Sequence, residues 1–449
     1  MKKIVLSLVA VIAVAAAGLA WFVTRTPTSP FDRQTTASAT PDKIALGEQV
    51  ARQADCVACH SVPGGKPFAG GLKMGTPIGA IYSTNITPDR ETGIGRYTLA
   101  DFDRAVRQGV ALDGHRLYPA MPYPSYVKMS DADVEALYAY FTVGVAAANV
   151  PNKPVEMTFP LNQRWPLAMW NAVFSGAGPF QPDSNHDAIW NRGAYLVEAA
   201  GHCGSCHTPR GLAFNEKALD AGSSAYLSGA LLDGWYAPSL RQDSNSGIGR
   251  WSETDIFQFL KTGRNIHGVV FGSMTEAFNN STQFMSDDDL KAISHFLKSL
   301  PGDPARDGKP WHYQAAAIAT GSPADRTKAA PGAQTFIAKC SFCHGLDGKG
   351  RNEWIPALAG AASSLAPVPD SQINITLNGA DRVVAADIPD AYRMPAYRGQ
   401  LSDQEIADVV SFVRSSWGNN GSAVSAKDVS TLRSHTDPAS PTPIILQMR

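Results

Sequence analysis

Cys56-Val57-Ala58-Cys59-His60, Cys203-Gly204-Ser205-Cys206-His207 and Cys340-Ser341-Phe342-Cys343-His344 use every cysteine of the 449-residue chain. Two thiols one helical turn apart can add to two vinyl groups on one edge of a porphyrin. The histidine that follows then turns beneath the ring to the iron, which is the attachment pattern of a c-type haem. One such pentapeptide is a weak signal; three that leave no cysteine over are a strong one. Structural zinc needs four ligands in one place, and these pairs lie more than a hundred residues apart. A thioredoxin-like dithiol needs a βαβ setting that the flanking sequence does not offer. The pattern therefore marks Cys56, Cys59, Cys203, Cys206, Cys340 and Cys343 as attachment sites of three covalent haems c, with His60, His207 and His344 as proximal iron ligands.

Around the pentapeptides the chain repeats itself. Gly93-Ile94-Gly95-Arg96-Tyr97 recurs as Gly247-Ile248-Gly249-Arg250-Trp251, and Met129-Ser130-Asp131 recurs as Met285-Ser286-Asp287. A shorter third copy starts near Pro331 and ends in Leu401-Ser402-Asp403-Gln404-Glu405. Repetition at this period signals tandem modules. Each copy has an opening helix (about Ala45–Gln53, Ala188–Ala199 and Ala333–Lys339), the Cys-His signature, a Gly/Pro-rich irregular stretch and a closing amphipathic helix. Ser130, Ser286 and Ser402 stand at N-cap positions with Asp133, Asp289 and Glu405 three residues on, a capping-box spacing. Val134/Leu137/Tyr138/Phe141, Leu290/Ile293/Phe296/Leu297 and Ile406/Val409/Val410/Val413 form the stripes expected to be core. The expected fold is all-α: three tandem cytochrome c-like domains with long irregular loops, preceded by an apolar helix.

The expected boundaries are 1–34 for a signal peptide or membrane anchor with a short linker, 35–150, 186–304 and 329–418 for the three domains, 151–185 and 305–328 for linkers, and 419–449 for a polar, irregular tail. In the first linker Trp165 and Trp170 read as packing between two domains, with a partner subunit or lipid as the alternative.

Each iron needs a sixth ligand. Met121 in Tyr118-Pro119-Ala120-Met121-Pro122, Met274 in Gly272-Ser273-Met274 and Met394 in Arg393-Met394-Pro395 lie at similar places on stretches expected to be irregular, whereas Met129 and Met285 read as core. His115 and His267 are rivals in the first two copies. The third has no histidine between His344 and Trp417, so repeat logic assigns Met121, Met274 and Met394. His/Met ligation raises the reduction potential and fills both axial positions, which suits electron transfer. Arg96 and Arg250, with Tyr97, Trp251 and Asn85, are candidate partners for the haem propionates. Pro238-Ser239-Leu240 and Pro356-Ala357-Leu358 are expected beside the proximal histidines, where a backbone carbonyl could take the other ring proton.

With 39 Lys+Arg against 40 Asp+Glu, the formal charge is −1; the electrostatic footprint of nucleic-acid binding is missing. No nucleophile–base set, phosphate loop or dinucleotide fingerprint appears, so no catalytic residue is assigned. Behind Lys2 and Lys3, twenty uncharged residues, Ile4–Val23, are long enough to span a bilayer. Trp21, Phe22 and the two lysines favour a retained anchor; Ala15-Ala16-Ala17 also allows a cleaved signal. Either puts the remainder on the periplasmic side of the cytoplasmic membrane, anchored or held by partners.

Longer runs carry a family resemblance: Tyr82-Ser83-Thr84-Asn85-Ile86-Thr87-Pro88, Leu117-Tyr118-Pro119-Ala120-Met121-Pro122-Tyr123-Pro124, Gly201-His202-Cys203-Gly204-Ser205-Cys206-His207-Thr208-Pro209-Arg210-Gly211 and Trp417-Gly418-Asn419-Asn420. Over about residues 42–420 the chain resembles the triheme cytochrome c subunits of bacterial membrane-bound dehydrogenases acting on alcohols, gluconate, sorbitol, fructose or aldehydes. That resemblance implies an electron-transfer subunit, not itself an enzyme, that passes electrons from a periplasmic catalytic subunit to ubiquinone or another terminal acceptor in the cytoplasmic membrane. The catalytic subunit would carry flavin, pyrroloquinoline quinone or molybdenum, with or without a third small subunit. A free-standing multihaem enzyme such as a peroxidase is the alternative. The amino terminus and the shorter tail depart from the alcohol dehydrogenase subunits.

Replacing Cys203 and Cys206 together by Ala should lower the pyridine haemochrome yield by about one third, since it removes one of three equivalent attachment sites. An unchanged yield would refute the assignment.

Overall fold

The computed structural model describes residues 2–32, 39–76, 78–176, 178–316, 330–385 and 392–439. Residues 317–328, half of the second expected linker, and the last ten residues lie outside this set. An apolar helix, α1 (Lys2–Thr24), comes first. The opening helices of the three copies are α2 (Pro41–Gln53), α3 (Ala188–Glu198) and α4 (Ala333–Lys339); the closing helices are α5 (Asp131–Ala139), α6 (Asp287–Ser299) and α7 (Asp403–Ser415).

Opening and closing helices cross at glycine. A Cβ on Gly47 would lie 2.0 Å from the Ala136 carbonyl oxygen, one on Gly193 would lie 2.1 Å from that of Ala292, and one on Gly332 would lie 2.1 Å from that of Asp408. No side chain fits at those distances, so the three glycines let the paired backbones touch. Around the crossings sit Phe68, Phe102 and Phe141 in the first copy, Trp190 against Phe296 in the second, and Phe336, Phe412 and Trp417 in the third. Met129 and Met285 are buried core.

The serine caps form as the spacing requires: Ser130, Ser286 and Ser402 accept from the amides of Asp133, Asp289 and Glu405. Glu405 returns the bond to make a full box. Asp289 does not; its carboxylate takes Arg192 at 2.8 and 3.1 Å, which ties closing helix α6 to opening helix α3. An ion pair across the crossing has displaced the local reciprocal cap.

The repeated Met-Ser-Asp has a second purpose. Arg107, at the end of the helix Leu99–Gln108, donates to the Met129 carbonyl at 3.2 Å and to Asp131 at 2.7 Å. Lys261, at the end of Glu253–Thr262, reaches the Met285 carbonyl at 3.2 Å and Asp287 at 3.0 Å. One cation thus clamps the start of each closing helix. In the third copy the clamp is Arg433, 3.1 Å from the Leu401 carbonyl and 2.7 Å from Asp403. Arg433 belongs to α8 (Ala426–His435), a helix with a Ser425/Asp428 capping box that buries Val429 and Leu432 against the third core. The expectation of an irregular tail is therefore corrected: residues 426–435 complete the third domain, because their cation replaces one that the shorter copy lacks.

Short hairpins interrupt the helical plan: β1 (Lys73–Thr76), β2 (Gly79–Tyr82) and β3 (Glu156–Met157) form one antiparallel sheet, and β4 (Ala230–Leu232) pairs β5 (Trp235–Ala237). A final pair, β6 (Arg264–Asn265) and β7 (Gly268–Val269), is shorter still. The chain divides into two compact units, one of Met1–Ala51, Cys59–Gln181 and Leu212–Asn215, the other of Arg52–Ala58, Pro182–Gly211 and Glu216–Arg449. The second and third copies thus share a unit. Tyr236 and Ser371 exchange hydrogen bonds at 2.8 and 3.1 Å, Asn374 reaches the Gly234 carbonyl at 3.0 Å, and the Arg264 guanidinium lies 3.9 Å over Trp354.

In the first linker, Trp170 packs edge-on to Tyr123 and donates to the Ala213 carbonyl at 2.8 Å, within the first unit. Trp165 is 51% exposed, so its expected packing between domains is not observed.

The Arg433→Leu variant removes charge-assisted hydrogen bonds, each worth about 1.5–3 kcal/mol. It should lower the melting temperature of the third domain, with Arg433→Lys recovering part of the loss; equal melting of wild type and Arg433→Leu would show that the clamp does not stabilise the domain.

Candidate haem-binding sites

Each Cys-His signature folds as one short helical turn directly after an opening helix: Cys56–His60, Gly204–His207 and Ser341–His344. His207 and His344 donate their backbone N–H to the carbonyls of Cys203 and Cys340, both at 3.0 Å. This i to i+4 bond places the first thiol and the imidazole on one turn.

The three imidazoles are held alike. Nδ1 lies 2.7 Å from the Thr84 carbonyl for His60, 2.7 Å from Pro238 for His207 and 3.0 Å from Pro356 for His344. A carbonyl only accepts, so the Nδ1 atoms carry the protons and the Nε2 atoms keep their lone pairs. Burial lowers all three rings below the ordinary 6.5, which keeps them neutral at neutral pH. Pro238 and Pro356 stand where the Pro-x-Leu pattern placed them. Thr84 was missed, because the first copy presents its carbonyl from Ser83-Thr84-Asn85 and has no proline there.

The first thiols of the second and third signatures lack the setting of a dithiol oxidoreductase. Burial pushes Cys203 and Cys340 up to about 12, whereas reactive cysteines are held low by nearby positive charge. Among the described residues, no group of three or more His, Cys, Asp or Glu gathers as a metal-ion cage would require. A porphyrin fits this donor chemistry, since it needs only two thiols and one imidazole from each signature.

In the third copy, Cys340, Cys343, His344 and Met394 line one cavity of about 380 Å³, which the second copy also walls with Pro238, Trp251 and His267. Met394 lies on irregular chain, its carbonyl accepting from Ala380 at 3.0 Å. Met121 is half-buried in the turn before the short helix Tyr123–Tyr126. Met274 departs from expectation: it is the first residue of the helix Met274–Asn280 rather than part of an irregular loop, with Thr275 and Phe278 buried beside it. The rival histidines have neighbours of their own, although His267 also stands on the cavity wall. His115 pairs with Asp113 at 2.5 Å, and His267 stacks on Trp251 with its Nε2 3.5 Å from Asp255.

Of the expected propionate partners, Arg250 and Trp251 line the cavity and Arg96 is exposed. Asn85 is consumed: its amide group donates to Thr92 and to the carbonyls of Ala148 and Val150, so it closes a loop. Arg250 also straps the two copies, donating to the Ser244 carbonyl at 2.7 Å and to that of Gly360. Sequence periodicity carries no signal for such a cross-domain bond.

Three helical domains, each built on a Cys-x-x-Cys-His turn, define a multidomain c-type cytochrome. The chain belongs to the cytochrome c family, which it matches over residues 44–142, 191–301 and 329–417. It is 50% identical over 398 residues to the gluconate 2-dehydrogenase cytochrome c subunit of Pantoea cypripedii, covering 87% of this chain and 89% of that one. It is 47% identical over 416 residues to the alcohol dehydrogenase (quinone) cytochrome c subunit of Gluconacetobacter polyoxogenes, covering 90% and 88%. With the fructose dehydrogenase cytochrome subunit of Gluconobacter japonicus the figures are 38% over 427 residues, 91% and 85%. More narrowly, then, the chain is a triheme cytochrome c subunit of the bacterial membrane-bound dehydrogenase type, an electron-transfer subunit and not the catalytic one. Its three cytochrome c domains imply three haem c groups.

Proposed function

We propose that Cys56/Cys59, Cys203/Cys206 and Cys340/Cys343 hold one haem c each, with His60, His207 and His344 as proximal ligands through Nε2 and Met121, Met274 and Met394 as sixth ligands. The observation that carries this reading is the cavity that gathers Cys340, Cys343, His344 and Met394. The haems supply reversible one-electron chemistry at iron; the protein's part is to hold and tune them. The carbonyls of Thr84, Pro238 and Pro356 fix each imidazole and raise its basicity as a donor. The thioether of a methionine favours the reduced metal and so raises the potential. Arg250, at the cavity wall, offers positive charge to propionates.

The partner in this reading is a periplasmic catalytic dehydrogenase subunit oxidising an alcohol, sugar or aldehyde, alone or with a third small subunit. Its electrons pass along the three haems to ubiquinone. The wall shared by the second and third copies supports transfer between their haems, because the cavity runs from Pro238 and Trp251 to His344 and Met394. The free-standing peroxidase finds no support among the relatives.

In the same reading α1 is a retained anchor. It is the one described helix long and apolar enough to cross a membrane, with a mean hydropathy of 2.5 and no buried residue in its apolar window. At 1.5 Å per residue, its length is about 35 Å.

In the oxidised holoprotein, Met121→Leu, Met274→Leu and Met394→Leu should each remove part of the near-infrared sulfur-to-iron charge-transfer absorption and lower the potential of one haem. An intact band in Met274→Leu would transfer that role to His267. Amino-terminal sequencing of protein from washed membranes should begin at residue 1 or 2, and a start near Gly18 would refute the anchor.

A further inference from the structure

Between Glu156 and Asp183 the sequence carries a single charge, Arg164, within a run of Phe, Leu, Trp, Met and Val. In the structure this run ends in a helix, Leu167–Phe174, that leaves apolar side chains exposed on one side although others are partly buried on the opposite side. Met169 and Val173, four residues apart on this helix, lie along one face and are 49% and 71% exposed, and Trp165, in the turn ahead of it, is 51% exposed. The inward side is mixed, with Leu167, Trp170 and Phe174 partly buried beside Ala168 and Asn171. Ala168 is buried, and Asn171 accepts from the Tyr123 hydroxyl at 2.8 Å and donates to the Gln108 carbonyl at 3.1 Å. A helix on a soluble surface places its apolar stripe toward the core and its polar face outward.

The patch extends beyond the helix. Phe159 is exposed ahead of it, and the bond from Trp170 to the Ala213 carbonyl brings Leu212 and Phe214, both exposed, alongside. Scattered apolar residues are ordinary on a protein surface, but a contiguous patch marks an interaction site.

What covers it follows from where it is fastened. Two residues hold both this segment and the chain leaving α1. Arg116 donates to the Arg25 carbonyl at 3.1 Å, while its own carbonyl accepts from Arg164 at 3.0 Å. Gln108 donates from its side chain to the Thr28 carbonyl at 2.8 Å, while its own carbonyl accepts from Asn171. The helix Leu167–Phe174 also packs against α1. The apolar face is therefore pinned at the level where α1 ends. Arg25, whose guanidinium lies over Trp21 and Phe22, marks that level with the aromatic and basic residues typical of a membrane–water interface.

We propose that residues 159–174, with the tip at Leu212–Phe214, form an interfacial segment that lies in the headgroup and upper acyl region of the bilayer that α1 enters. This inference rests on the reading of α1 as a membrane helix. Continuity with α1 favours lipid over a protein subunit as the occupant. An amphipathic segment of this kind lies along the interface with its apolar face inserted, and a second attachment beside the spanning helix would fix the tilt of the first domain against the membrane.

The test uses the full, haem-loaded chain in its native membranes, with the photo-crosslinking residue benzoylphenylalanine placed at position 169 or 173. Both positions are exposed, and unchanged haem content verifies folding. After illumination, mass spectrometry of the peptide should find phospholipid adducts at both positions. Adducts to another protein chain would show that a subunit covers the face and overturn the proposal; the absence of any adduct would show it open to water and do the same. Sequencing the amino terminus of the same sample separates the two readings. Retained α1 without lipid adducts sinks the interfacial segment and leaves the anchor, whereas lipid adducts on a chain lacking α1 sink the anchor and leave the segment.

Discussion

A hydrogen bond from Nδ1 of a histidine to a backbone carbonyl sets the terms for each domain. The imidazole belongs to a one-turn helix, and the carbonyl comes from irregular chain 24, 31 or 12 residues later. To deliver that acceptor the intervening chain must leave the Cys-His turn and return to it, so its loops cannot wander. The rest of the fold is a frame for this return. Opening and closing helices touch at Gly47, Gly193 and Gly332, and a basic side chain pins the start of every closing helix. The bond also decides the chemistry. With the proton fixed on Nδ1, the remaining lone pair can serve only as a donor from Nε2, and burial keeps the ring neutral so that the pair is available.

The three copies solve one problem with unequal material. The first two carry their clamp on a helix within the repeat, at Arg107 and Lys261. The third is shorter and draws Arg433 from a helix beyond the repeat. That substitution explains why the third domain buries Val429 and Leu432 and why the polar tail is in part a structural element. The second and third copies are further joined by Arg250, Tyr236 and Ser371, and by the cavity they share.

Much of this was legible in the residues because it is local and repeated. The cysteine pairs, the serine caps and the apolar stripes each depend on spacings of two to four residues, and threefold repetition separates them from chance. The carbonyls of Pro238 and Pro356 were legible for the same reason, and that of Thr84 was not, since no proline marks it. Asp233-Gly234, both at positive φ, makes a two-residue turn between β4 and β5. That dipeptide is a hairpin signal in a stretch whose Gly/Pro-rich composition reads as irregular chain. Arg433, Arg250 and the partner of Asp289 were illegible in principle: each bond joins residues far apart in sequence, and only the folded chain decides which cation meets which acceptor. The exposed stripe of Trp165, Met169 and Val173 was visible as composition, but its outward orientation was not.

In the proposed arrangement one haem is bound covalently in each of three equivalent domains of a single chain. Mass spectrometry of the intact protein purified from membranes, followed by fragmentation, counts and places these haems. The expected mass is that of the polypeptide plus three haems, with one haem localised to each of the peptides spanning Cys56–His60, Cys203–His207 and Cys340–His344. A chain in which any of these peptides carries unmodified cysteines, while the protein remains folded and competent in electron transfer, would contradict it.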